Sequence, residues 1–297
     1  MIYTCTSNPS LDYYVTLDEI SIDKLNRSHM EMYDAGGKGV NVSVVLNNFQ
    51  ITNVALGFLG GFTKDFYLSI LSKYPNIQPL FTTIKDNTRI NIKVMSDVHE
   101  TSINAKGPHI TKQEFTNFKN RLLSIYDGDY FVLSGNIEED IKDDIVETIH
   151  ELAKENVKIV LDSDADIMDR CVDVKPYLVK LNRSYLNATG KDREDAMEEM
   201  ISKGAKYVMY SSRDESSYLY SADEKYMSES IQGSLVNITG SSDSMVAGFL
   251  YASLRGANTI EKFSYAVAAS IATTHSNDLC SRDKVEEVID QIKVSKL

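Results

Sequence analysis

Short runs of β-branched and aromatic residues at 1–6, 53–59, 130–133, 158–161, 178–181 and 207–210 each predict a strand. Between several of them the apolar positions switch to helical spacing, over 112–125, 139–155, 193–203, 245–254 and 260–274. That alternation is a βαβ rhythm, and it predicts an α/β fold whose mainly parallel sheet is flanked by helices. Residues 11–34 and 89–104 break the rhythm, because apolar and polar positions alternate there with no intervening helix. Half-exposed antiparallel strands read that way, and they predict a small β-sheet lid over the carboxyl edge of the main sheet, where open α/β folds bind ligands. No internal repeat is visible.

Two turns carry candidate chemistry. Asp34-Ala-Gly-Gly-Lys-Gly-Val-Asn41 sets three glycines around Lys38 directly before an apolar helical pattern at 40–46. Glycines leave amides uncovered, a helix start adds partial positive charge, and Lys38 adds a full one, so a sugar hydroxyl or phosphate fits there. The alternative is a flexible turn whose lysine points into water. Further on, 235–239 reads as a strand and 245–254 as a helix in which Ala247, Gly248 and Ala252 permit close packing. In the turn 240–244 between them, the amides of Ser241, Ser242 and Asp243 form an anion hole for a phosphoryl group in transfer. Asp243, ionised beside the helix start, is placed to accept a proton from an attacking hydroxyl. The competing reading is that Ser242 or Asp243 only caps the helix.

Composition narrows the partners. The 297 residues are 42% hydrophobic and 25% charged, an ordinary globular balance, with a formal net charge of −12. So acidic a surface repels a phosphate backbone and argues against nucleic acid, and an anionic small molecule needs local cations. Cys5, Cys171 and Cys280 are far apart, which predicts buried thiols rather than a zinc site or a disulfide framework. No apolar run approaches the roughly 20 residues of a membrane span, and the start shows no leader pattern, so a cytoplasmic protein without a membrane partner is expected.

Taken together, these segments resemble the ribokinase-like sugar kinases, within them the bacterial 1-phosphofructokinase branch, along nearly the whole chain. The resemblance is carried by Asn8-Pro-Ser-Leu-Asp-Tyr13, Leu25-Asn-Arg-Ser28, Gly36-Gly-Lys-Gly39, Gly57-Phe-Leu-Gly-Gly-Phe-Thr63, Thr88-Arg-Ile-Asn-Ile-Lys93, Glu100-Thr-Ser-Ile-Asn104 and Asp243-Ser-Met-Val-Ala-Gly-Phe-Leu250. It implies a single ribokinase-like domain over 1–297 that turns fructose 1-phosphate and ATP into fructose 1,6-bisphosphate, with Asp243 as base and Gly240, Ser241 and Ser242 as anion hole. It further implies that Asp12, Gly36, Gly37 and Asn41 hold the sugar while Lys38, Arg89 and Asn104 receive its phosphate and neighbouring oxygens. Magnesium-bound ATP, without a direct protein ligand to the metal, is implied across Lys180, Asn182, Ser211, Arg213 and Ser216. A homodimer through the lid is implied as well.

The departures fall on the nucleotide side. Gly-Ala-Gly-Asp becomes Gly240-Ser-Ser-Asp243, and Lys-Pro-Asn-x-x-Glu becomes Lys180-Leu-Asn-Arg-Ser-Tyr185, without the carboxylate. Ser-Leu-Gly becomes Ser211-Ser-Arg213, and Ser-Gly-Ser-Leu-Pro becomes Ser134-Gly-Asn-Ile-Glu138. Two alternatives therefore stand beside the leading reading: a tagatose-6-phosphate kinase, and a non-catalytic sugar-phosphate-binding protein with an eroded ATP site.

Overall fold

A computed structural model describes residues 1–96, 100–211, 216–229, 236 and 239–297. Its strands in chain order are β1 (Ile2–Thr6), β2 (Ser10–Thr16), β3 (Met30–Gly36), β4 (Asn53–Gly60), β5 (Ile77–Pro79), β6 (Thr82–Ile84), β7 (Arg89–Met95), β8 (Glu100–Ile103), β9 (Tyr130–Gly135), β10 (Lys158–Ser163), β11 (Leu178–Leu181), β12 (Val208–Tyr210), β13 (Ser217–Tyr220), β14 (Lys225–Ser228) and β15 (Val294–Lys296). The α-helices are α1 (Lys38–Asn48), α2 (Thr63–Leu71), α3 (Lys112–Leu122), α4 (Lys142–Lys154), α5 (Ala165–Cys171), α6 (Arg183–Thr189), α7 (Arg193–Ser202), α8 (Ser241–Leu254), α9 (Thr259–Thr274) and α10 (Arg282–Ile289).

The main sheet runs β15-β14-β13-β12-β11-β10-β9-β1-β4-β5, with β6 also pairing β4. Every pairing from β12 to β5 is parallel, and β13, β14 and β15 add an antiparallel edge. Strand alternation assigns the two faces. Tyr3, Cys5, Phe131, Leu133, Ile159, Leu161 and Val179 join one core with side chains of α3, α4, α5 and α7. Ile2, Tyr130, Val132, Val160 and Leu178 join the other with α1, α8, α9 and α10. Both faces are thus covered by helices, which is why these strands read as unbroken apolar runs.

From β1 the chain builds outward through β4 and then returns to place β9 on the other side of β1. The strand order therefore reverses at β1, and a crevice opens beyond the carboxyl ends of β1 and β9. The lid sheet, β3-β2-β7-β8, stands over that crevice. Its central pair differs from the antiparallel expectation, since β2 runs parallel to β7 with Ser10 opposite Arg89 and Asp12 opposite Asn91. The long excursion through β4, α2, β5 and β6 frees the second strand to enter in either direction, which a hairpin would not.

Helix α8 begins at Ser241, four residues before the sequence expectation, because small polar residues without apolar periodicity fill its first turn. Of the strand expected over 235–239, Leu235, Asn237 and Ile238 lie outside the described residues, while Thr239 is in a turn and Val236 is in no strand. All three cysteines are buried and free. Among the described residues no helix is long and apolar enough to cross a membrane.

Candidate active site

The strand period delivers the first two charges. Val160 of β10 lies opposite Leu178 of β11, and two residues further along each strand come Asp162 and Lys180. Both keep the face occupied by α1 and α8, at the carboxyl edge of the sheet, and both are fully buried. Lys38, the first residue of α1, brings its Nζ 3.9 Å from Asp162 Oδ1. Asp243, in the first turn of α8 and 4% exposed, completes the group. Asn41 Nδ2 donates to Asp243 Oδ2 at 2.7 Å and ties the starts of α1 and α8 together.

Neither helix start is closed by its own N-cap residue, although in α1 the Val40 amide donates to Thr6 Oγ1 at 3.1 Å. The N-cap of α1 is Gly37 at φ 142°, and that of α8 is Gly240 at φ 76°. At Gly240 a side chain is excluded twice, by the left-handed backbone and by Leu279 Cδ2 lying 2.3 Å from where a Cβ would stand. Six other helices, α3, α5, α6, α7, α9 and α10, carry a side-chain cap. Asp243 is therefore not the cap of its helix, and the first amides of α1 and α8, which have no acceptor within a helix, face the same crevice.

Burial sets the electrostatics. The Asp243 carboxyl is pushed up to about 7, first by burial and then by Asp162, with Lys38, the Asn41 hydrogen bond and Lys180 opposing. Lys180 is lowered to about 8 by burial, against the pull of Asp162. Lys38 moves the other way, raised by Asp162 and to a lesser degree by Asp243 despite its own desolvation. The cluster holds two carboxylates and two ammonium groups, with Asp243 poised near neutrality as a proton acceptor requires.

Next to this cluster lies a cleft of about 360 Å³ lined by Thr6, Asn8, Lys38, Arg89, Lys106 and Glu138 among others. Arg89 opens β7, and its guanidinium donates to Ala105 O at 3.2 Å and Asn8 O at 3.1 Å. On the lid side Asp12 Oδ1 accepts from Ser10 Oγ at 2.7 Å and Asn91 Nδ2 at 2.9 Å. Gly36 passes so close that a Cβ there would lie 2.6 Å from Asp12 Oδ2. Of the expected sugar-side residues, Gly37, Lys38 and Arg89 line the cleft, Asp12 and Gly36 meet on its lid side, and Asn41 joins Asp243. Asn104 does not join them; it is exposed, and its neighbours Ala105 and Lys106 line the cleft instead.

The nucleotide-side positions are less alike. Asn182 caps α6, its Oδ1 accepting from the Tyr185 amide at 3.0 Å. Tyr185, where the resemblance expects a carboxylate, is buried and donates its hydroxyl to Asp169 at 2.7 Å on α5. Ser211 and Ser216 follow β12 and precede β13, and Arg213 lies outside the described residues. Asp162, Lys106 and Glu138 were not foreseen as site residues. For Asp162 a signal existed, since it ends an apolar strand as Lys180 does.

Buried polar atoms normally find a partner. Among the described residues the buried side-chain atoms without one are Asn8 Oδ1, Arg89 Nε, Ser134 Oγ, both oxygens of Asp162, Ser242 Oγ and Asp243 Oδ1, besides Asn53 Oδ1 and Thr82 Oγ1. All but the last two belong to this one site. A sheet-edge crevice that gathers two helix starts, a buried carboxyl and a cationic cleft is the architecture of a phosphotransferase acting on an alcohol.

The comparisons define it further. The pfkB family of carbohydrate kinases matches residues 6–283, and the chain belongs to that family and is an ATP-dependent sugar kinase. It is 33% identical to a 1-phosphofructokinase of Bacillus subtilis over all of both chains. It is 30% identical to a tagatose-6-phosphate kinase of Staphylococcus epidermidis over 99% of each. The fold is shared with phosphofructokinase-2 of Escherichia coli, at TM-score 0.91 and 23% identity over 98% of each chain.

Proposed function

We propose that the chain transfers the γ-phosphate of ATP to fructose 1-phosphate, giving fructose 1,6-bisphosphate and ADP in the cytoplasm. The observation that carries this reading is the concentration of partnerless buried polar atoms around Asp243, Asp162 and Arg89. The substrate phosphate lies in the cleft against Arg89, Lys106 and Lys38, and Asp12 and Asn41 orient the sugar.

Asp243 holds Oδ2 on Asn41 and keeps Oδ1 for the sugar 6-hydroxyl. As the O6–Pγ bond forms and the bond from Pγ to the ADP oxygen breaks, the hydroxyl proton passes to Oδ1 and from there to solvent. The first-turn amides of α8 and the ammonium groups of Lys38 and Lys180 stabilise the charge on the transferring group. The two oxygens of Asp162, which among the described residues accept no hydrogen bond and have only the Lys38 ammonium at 3.9 Å as ion-pair partner, are hard anionic donors of the kind magnesium takes together with waters and nucleotide phosphates. Asp162 would hold the ion there, and when bound it neutralises phosphate charge. Ser211, Arg213, Ser216 and Asn182 are proposed to border the nucleotide.

Purified protein mixed with magnesium-ATP should release ADP with fructose 1-phosphate faster than with tagatose 6-phosphate. Faster turnover of tagatose 6-phosphate would reassign the acceptor. Turnover of neither, with calorimetric binding of sugar phosphate but not of nucleotide, would make the chain a binding protein. A homodimer through the lid is supported by exposed Met30, Met32, Tyr33, Ile92 and Ile103 on the lid sheet. Light scattering on a Met32→Glu variant should then report a monomer, and an unchanged mass would remove this interface.

A further inference from the structure

The charged residues lining the cleft beside Arg89 are three cations, Lys38, Arg89 and Lys106, and one carboxylate, Glu138. A carboxylate is an odd lining for a cavity that receives phosphate, and Glu138 is not there by slack placement. It precedes the short 3₁₀ turn Glu139–Ile141 that follows β9. Its Oε1 accepts a hydrogen bond from Asn8 Nδ2, whose backbone carbonyl in turn receives Arg89. Gly107 closes over this pair so tightly that a Cβ there would stand 2.4 Å from both Glu138 Oε1 and Asn8 Nδ2. Glu138 and Arg89 also act on one another electrostatically, and Lys106 acts on Glu138. The Arg89 Nε and Asn8 Oδ1 remain buried without a partner at the same spot.

We propose that Glu138 is a built-in counter-ion of the phosphate cleft, lowering its affinity for the phosphate that substrate and product share. Its charge offsets part of the field of Arg89 and Lys106, so an arriving phosphate meets a weakened cation pair and a like charge. Because the phosphate already on the substrate is retained in the bisphosphate, the same offset loosens the product and shortens its stay. The role rests on the sugar-phosphate reading of the cleft, but its test does not depend on turnover.

The Glu138→Gln variant keeps an acceptor for Asn8 and removes only the charge, whereas Glu138→Asp keeps the charge. Calorimetric titration with inorganic phosphate should show Glu138→Gln binding about three- to tenfold tighter than the parent protein, the scale of one partly solvated charge pair. Glu138→Asp should stay within about twofold of the parent, and added salt should shrink the Gln effect. In turnover assays the Gln change should fall on the KM for the sugar phosphate and on inhibition by the bisphosphate, both strengthened by a similar factor. Unchanged phosphate affinity in Glu138→Gln overturns the proposal. Weaker binding overturns it too, since Glu138 would then be a direct ligand of the substrate. Tighter phosphate binding without any sugar-phosphate turnover in the parent protein would retain the counter-ion and reject the kinase assignment.

Discussion

The site contains two carboxylate–cation groupings joined through Lys38, and they differ in how much water reaches them. Around Asp243 the charges are buried: Asp162 and Lys180 are fully enclosed, and burial is the leading cause of the shifts on Asp243 and Lys180. Around Arg89 the charges border an open cleft, Lys106 is exposed, and Glu138 is half-buried. In the dry group a charge is expensive unless reaction uses it, so proton affinity becomes the tuned quantity. In the wet group solvent reaches Lys106 and part of Arg89 and Glu138, and the tuned quantity is ligand affinity. The same residue types thus divide into a chemical half and a binding half.

The comparison is sharpened most strongly at Asp243. Asp243→Asn keeps the acceptor for Asn41 but loses the base. Steady-state ADP release should fall about a thousandfold, in the range of lost general-base catalysis, with sugar-phosphate binding little changed by calorimetry. The next effect belongs to the wet half. Arg89→Ala removes a cation whose backbone bonds also join Ala105 to Asn8, and KM for the sugar phosphate should rise about tenfold or more while kcat changes less. If kcat collapsed and KM held, the division into halves would be wrong.

The smallest effect is thermal. An unfolded aspartate loses its proton near 3.9, whereas folded Asp243 keeps it up to about 7. Protonated Asp243 therefore contributes stability below pH 4 that is lost as pH rises through 7. At pH 8 Asp243→Asn, an uncharged mimic, should melt a few degrees above the parent protein, and at pH 4 the gap should close. A lower melting point for the variant at pH 8 would mean that Lys38 and Lys180 require the Asp243 charge.

Much of this was legible in the chain itself. The central strands announce themselves because both faces are covered, and β11 coincides with its apolar run at Leu178–Leu181. The glycine turns around Lys38 and before Asp243 mark real helix starts. The antiparallel edge was not legible, since Ser217–Tyr220, Lys225–Ser228 and Val294–Lys296 are short and half polar, and the last pairs with the second across some seventy residues of chain. Asp162 was missed because a lone acid after an apolar strand acquires meaning only through its neighbour on β11. The place of Asn104 outside the cleft lining was not legible, because the path of the loop after β8, which brings Ala105 and Lys106 to the cleft, is set by tertiary contact with Asn91 and Arg89.

The central claim is that a buried carboxyl titrating near neutrality takes the proton from the sugar. Its most direct test is the pH dependence of kcat/KM for fructose 1-phosphate at saturating magnesium-ATP, divided by the fraction of dianionic substrate. We expect a bell with its maximum between about pH 7 and pH 8, a tenfold fall per pH unit below about 7, and a decline above about 8 as Lys180 loses its proton. A profile that stays flat from pH 8 to pH 5 in an active enzyme would contradict the assignment of Asp243 as the base.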